Sequence, residues 1–229
     1  TGMTSAWTLC GAAALLLGVP GLAGAAPPSK GRPAAKPAPK PVKINPLSCT
    51  APIGRLDSAR ALQRRFGDNA TVSSRPDERG IQVYRVVLYP DEPMRRIEVL
   101  YPDAAMRVPL RVKIDRLAST WSLGGLRVGE SLAAAVSRNG GPFALRGLGP
   151  GEGGRVTDWK GGKLGTALPG GCVAGFRFIA PLPERVADAA NGDGLSLRSD
   201  QKEVIEAEPI IAELSISWPA APQPVRKRK

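Results

Sequence analysis

Residues 81–115 read IQVYRVVLYPDEPMRRIEVLYPDAAMRVPLRVKID. Three runs in this stretch carry the signature of strands. Ile81 to Tyr89 is rich in β-branched and aromatic residues. Ile97, Val99 and Tyr101 alternate with Glu98 and Leu100. Val108, Leu110, Val112 and Ile114 alternate with Pro109, Arg111, Lys113 and Asp115. A period of two puts one set on a buried face and the other toward water. Leu88-Tyr89-Pro90-Asp91 recurs as Leu100-Tyr101-Pro102-Asp103, and Met94-Arg95 as Met106-Arg107, both at an offset of twelve. Pro followed by Asp favours a turn. A strand plus a turn every twelve residues predicts an antiparallel meander.

Two short helices frame this core. The first lies in LDSARALQRRFG (56–67) and the second in GESLAAAVSRNG (129–140). Each begins with an acidic residue and Ser, continues with Leu or Val at helical spacing, and ends in Gly. Asp57 or Ser58, and Ser131, suit the N-cap. Gly67 and Gly140 suit the left-handed residue that ends a helix.

The second half is expected to run in parallel with the first. Phe143 to Leu148 and Arg155 to Trp159 are short strands split by a Gly-rich loop. Gly161-Gly162 marks a hairpin turn after Trp159-Lys160. Cys172, Ala174, Phe176 and Phe178 share one strand face. Ser199-Asp200 opens a helical stretch to about Ala207, before Pro209. Ile210, Ala212, Leu214, Ile216 and Trp218 then alternate with Glu213, Ser215 and Ser217. The predicted fold class is α+β. Two tandem units, 47–126 and 127–218, each a short helix followed by an antiparallel β-meander, share one core.

The flanks differ from this body. Residues 1–25 hold no Lys, Arg, Asp or Glu. An apolar run around Ala12-Ala13-Ala14-Leu15-Leu16-Leu17 is broken by Pro20-Gly21 and followed by Ala23-Gly24-Ala25. That layout predicts a secretory signal cut before Ala26. Cys10 lies ahead of the apolar core, so it does not fit a lipid-attachment site. Residues 26–46 form a Lys/Pro-rich tether with Lys30, Arg32, Lys36, Lys40 and Lys43. Residues 219–229 form a basic tail ending Arg226-Lys227-Arg228-Lys229. The Pro content of both favours extended chain.

The formal net charge is +12, and nine of those charges sit in the two tails. Charge-driven attraction is therefore expected from the tails, toward anionic lipid or lipopolysaccharide, with little from the body and no nucleic-acid partner. Past the signal only Cys49 and Cys172 remain. An even pair in an exported chain predicts a disulfide and a periplasmic or secreted protein.

A repeated, exported unit of a short helix and an antiparallel sheet resembles the tandem fold of β-lactamase-inhibitor proteins. The single unit resembles the small lipoprotein of the outer-membrane β-barrel assembly machine. The residues that carry this likeness are the two Ser-to-Gly helices and the strands after each. A second likeness rests on Asn139-Gly140-Gly141-Pro142-Phe143 and on Gly153-Gly154-Arg155-Val156-Thr157-Asp158-Trp159-Lys160-Gly161-Gly162-Lys163-Leu164. This pattern is similar to a motif of uncharacterised exported proteins of Gram-negative bacteria. It implies export and brings no activity with it.

Catalytic chemistry finds little footing. The chain has no His, so the commonest general base and metal ligand is missing. Asp188, Asn191 and Asp193 sit in DAANGDG, which lacks the spacing of a calcium loop. The Gly147–Gly154 stretch lacks the GK[ST] ending of a phosphate loop. No cofactor or metal is expected. Glu130 and Asp158 remain as a carboxylate pair for a cell-wall or glycan hydrolase, the alternative reading. The leading expectation is a non-catalytic binding or structural protein with an unknown envelope protein or polymer as partner. Trp121 and Trp159, with Arg146 and Arg155 beside the Gly-rich loop, are its candidate anchors, since Trp and Arg dominate binding hot spots.

Overall fold

The computed structural model describes residues 43–77, 80–192 and 194–218. The expected signal with Cys10 and the Ala23-Gly24-Ala25 site, the tether up to residue 42, Asp193 and the C-terminal tail lie outside the described residues. The first half contains β1 (Asn45–Pro46), α1 (Ala59–Phe66), β2 (Ala70–Pro76), β3 (Gln82–Leu88), β4 (Ile97–Tyr101), β5 (Arg111–Ile114) and β6 (Trp121–Ser122). The second contains α2 (Leu132–Asn139), β7 (Ala144–Arg146), β8 (Val156–Asp158), β9 (Val173–Ile179), β10 (Ser196–Arg198), α3 (Lys202–Glu206) and β11 (Ile210–Ser217). The fold is α+β.

One antiparallel six-stranded sheet, in the order β2-β3-β4-β5-β11-β9, organises the body. The alternation seen in the sequence sets its two faces. Val86, Leu88, Ile97, Val99, Tyr101, Val112, Ile114, Leu214, Ile216, Phe176 and Phe178 point into a single core. Fully burying a side chain as large as Phe176 stabilises the fold by roughly 1.5–3 kcal/mol. The opposite face, reached by Arg85, Glu98, Arg111, Lys113, Glu213 and Arg177, is polar.

Both helices form where the caps predict them. Ser58 accepts the Ala61 N–H at 3.2 Å, and Ser131 accepts the Ala134 N–H at 3.2 Å. Gly67 and Gly140 follow the last helical residues with φ of +56° and +85°, a region that disfavours residues with a Cβ. Leu62 buries its side chain from α1, and Leu132 and Ala135 do so from α2. Cys49 and Cys172 form a disulfide with a Cα–Cα distance of 5.4 Å. It spans 123 residues and ties the chain entering the body to the start of β9.

Three expectations change in detail, and one strand that the sequence does not announce joins the sheet. β2 carries no alternation of large apolar residues, yet it pairs with β3 from Ala70–Leu88 to Pro76–Gln82. Its partner strand, not its own pattern, makes it a strand. β5 starts only at Arg111, because Pro109 has no N–H to give a ladder; Val108 and Leu110 are exposed. The turn at Trp159–Gly162 closes, with the Gly162 N–H on the Trp159 carbonyl at 3.0 Å. The chain then enters a 3-10 turn at Lys163–Gly165 instead of the second arm of a hairpin. In β11 a register shift between Ile211 and Glu213 changes the phase. Ile211 thus joins Leu214 and Ile216 in the core, while Ile210 and Ala212 are half-buried.

The halves also contribute unequally. Strands β3 to β5 form the predicted meander, and β2 adds a strand at its edge. After α2 the chain divides its strands: β7, β8 and β10 build a separate three-stranded sheet, while β9 and β11 extend the meander of the first half.

Candidate functional site

Trp121 is 9% exposed, and its indole N–H donates to the Arg95 carbonyl at 2.9 Å. It is anchored in the core through the β1–β6 pair. Trp159 is half-buried in an aromatic cluster, 4.9 Å from the Phe143 ring centroid and 5.3 Å edge-on from Phe176. Arg155 is tied to Glu152 at 2.5 Å and to Glu213 at 3.4 Å. Arg146 is exposed, and its N–H bonds the Arg155 carbonyl at 2.9 Å. The two arginines are thus strand neighbours. No hydrogen bond or ring contact among the described residues joins Trp121 to the other three.

The Asn139 and Asp158-Trp159-Lys160-Gly161-Gly162 motif works as a staple. Asn139 is 1% exposed. Its Nδ2 donates to the Gly141 and Trp159 carbonyls at 3.0 and 3.1 Å, and its Oδ1 accepts the Leu164 N–H at 3.2 Å. Both of its N–H donors and its carbonyl oxygen are therefore engaged in holding the end of α2 to the turn after β8. Gly162 lies against the Asn139 amide with no space for a Cβ. The Gly-rich segment has a similar role. Leu148 donates to the Ala190 carbonyl at 2.7 Å, Gly154 to that of Gly147 at 2.8 Å, and Phe178 to that of Gly154 at 2.9 Å. A Cβ at Gly147 would run into the Gly192 backbone, and one at Gly154 into that of Phe178. Glycine here permits close backbone packing.

The carboxylate pair is likewise engaged. Glu130 faces Arg127 at 3.5 Å. Asp158 is exposed and pairs with Lys160 at 2.8 Å. A hydrogen bond from Lys160 holds the Asp158 carboxyl below the usual carboxylate range, opposite to what a general acid requires. Among the described residues, no cluster of Cys, Asp and Glu could hold a metal ion, and no helix is long and apolar enough to cross a membrane.

A charged lattice on the outer face of the six-stranded sheet stands apart from these sites. Cross-strand register places Glu98 beside Lys113, which is in turn beside Ser215. Glu98 is 5% exposed and binds Arg96 at 2.5 Å and Lys113 at 3.2 Å, with Arg85 at 3.9 Å. Glu213, 6% exposed, is held by Arg155 at 3.4 Å and Arg111 at 3.9 Å. Each buried carboxylate is thus surrounded by more than one cation, as a charge removed from water requires. Burial pushes the Lys113 amine down, but Glu98, Asp115 and Glu213 more than offset it, so its pKa is raised. Burial pushes the Glu152 carboxyl up, and the Arg155 hydrogen bond and charge outweigh it, so its pKa is lowered. Basic side chains outnumber acidic ones on this face. Sequence reading missed it as a site, although the signal was present: Glu98, Arg111, Lys113 and Glu213 all occupy outward positions of alternating strands.

Comparison with protein-family models, with curated proteins and with solved structures returned no match.

Proposed function

We propose that the chain is an exported, non-catalytic binding protein that engages anionic groups of the cell envelope. The observation that carries this reading is the excess of cations over carboxylates on the outer sheet face, around Glu98 and Glu213. The basic tails add nine positive charges in sequence. Export is supported by the Cys49–Cys172 disulfide, which suits an oxidising compartment. The hydrolase alternative is weakened by the ion pairs that engage both carboxylates, Glu130 with Arg127 and Asp158 with Lys160.

The two-unit likeness to β-lactamase-inhibitor proteins belongs to the same reading. It is supported by the matching Ser caps of α1 and α2, and it weakens at the strands, where the second half contributes to two sheets. The likeness to exported Gram-negative proteins rests on the Asn139 staple, whose geometry gives the motif a packing role.

Tail and face contributions separate in one vesicle co-sedimentation assay. A full chain with Lys30, Arg32, Lys36, Lys40, Lys43 and Arg226, Lys227, Arg228 and Lys229 replaced by Gln is expected to lose most of its binding to anionic vesicles. The residue of binding is expected to fall further when Arg111→Gln and Arg177→Gln are added. Wild-type binding by the tail variant would make the tails mere spacers. No effect of the two added substitutions would remove the sheet face from the account.

A further inference from the structure

We propose that the groove at the free edge of the six-stranded sheet, between Arg75, Arg85 and Arg96, is a binding site for a phosphate monoester. The proposal rests on the anion-binding reading above and gives it a specific site. The groove has a volume of about 420 Å3, within the size of ordinary small-ligand sites. Thr71, Ser73 and Arg75 line it from β2, Arg85 and Val87 from β3, and Arg96 from the approach to β4. The pairing of Thr71 with Val87, Ser73 with Arg85 and Arg75 with Val83 puts these side chains on the outer face.

Charge at this spot is unbalanced. Arg75 has no ion pair among the described residues, and Arg85 only approaches Glu98 at 3.9 Å. Glu98 is committed first to Arg96 at 2.5 Å. Lys113, the third cation on Glu98, has a second carboxylate in Asp115 at 3.1 Å. Three guanidiniums thus share one carboxylate, leaving about two positive charges at the groove. A phosphate monoester carries roughly −1.5 to −2 near neutral pH, which matches that excess. Arg96 also lines the groove, and its buried Nη1 has no hydrogen-bond acceptor among the described residues. Native structures rarely leave such a donor unpaired. Guanidiniums present planar forks that suit phosphate oxygens, and the Thr71 and Ser73 hydroxyls supply further donors. Free phosphate esters and phosphorylated lipid headgroups share this chemistry.

The test is an amide NMR titration of the full oxidised chain with inorganic phosphate, followed by competition against phosphatidylcholine vesicles containing phosphatidic acid. Saturable shifts are expected at residues 71–75 and 85–87. Arg75→Gln and Arg85→Gln should each weaken binding about tenfold, the loss expected for one charge-assisted hydrogen bond. Arg75 is exposed, so its substitution leaves the core untouched. If phosphate displaces the chain from the vesicles, headgroups are ligands of the groove. If it saturates the groove without displacing them, free phosphate esters are. The proposal is overturned if these amides do not move with either probe, or if both variants keep wild-type affinity. Vesicle binding that persists through the tails with the groove unmoved would sink the groove alone. Loss of all anion binding would sink the wider reading with it.

Discussion

At the scale of the residue, the polar groups that matter most here are buried ones held by several partners at once. Asn139 is the clearest case: one side chain satisfies two carbonyls and one N–H from 141, 159 and 164. Asn139→Ala leaves the Gly141 carbonyl and the Leu164 N–H without their partner, while the Trp159 carbonyl keeps the Gly162 N–H; the cost is about 1–3 kcal/mol for a buried unsatisfied group. Chemical denaturation should show a lower midpoint with an unchanged slope. A midpoint equal to that of the wild type would mean that the motif holds nothing together. Glu98 and Glu213 follow the same logic with charge in place of amides. Their burial was not readable from residue type, since Glu on the open face of a sheet is ordinarily solvated. Only the register that brings Arg85, Arg96, Lys113 and Arg155 over them covers these carboxylates.

At the scale of the element, local chemistry decided some boundaries and neighbours decided the rest. The two helices are legible because Ser and Gly act within a few residues of where they sit. Replacing Ser58 or Ser131 by Ala removes the acceptor for the Ala61 or Ala134 N–H and should cost about 1 kcal/mol each. The helices lie in different halves and share no partner, so the double variant should cost the sum of the two. Thermal or denaturant unfolding checks both the size and the additivity. β3, β4 and the core half of β5 were equally legible, because alternation is a local pattern. β2 was not, because its polar sequence becomes a strand only through pairing with β3. Neither was the phase of β11, where a single bulge moves Ile211 into the core. The Gly-rich segment is legible only as a loop between two strands, since a sequence does not reveal that Gly147 and Gly154 lie against the backbones of Gly192 and Phe178.

At the scale of the molecule, the core, the disulfide and the charge act on different ranges. The core joins both halves through β5 and β11. The disulfide closes a 123-residue separation and in the chain-entropy model adds on the order of 4–5 kcal/mol. Its pairing was legible because only two cysteines follow the expected signal. The distribution of the body's charge was not legible, because a net charge does not record which face carries it. The fold places cations from β3, β5 and β9 on one side of one sheet, and that arrangement carries the reading of an anion-binding envelope protein.

Co-sedimentation of the full oxidised chain with anionic and with neutral vesicles, across a salt series, tests this reading most directly. The Debye length shrinks from about 10 Å at 0.1 M to about 3 Å at 1 M salt. Binding to anionic vesicles should therefore be strong at low salt and largely lost at high salt, with neutral vesicles left unbound throughout. Equal binding to both kinds of vesicle, or binding to anionic vesicles that salt does not weaken, would contradict the account.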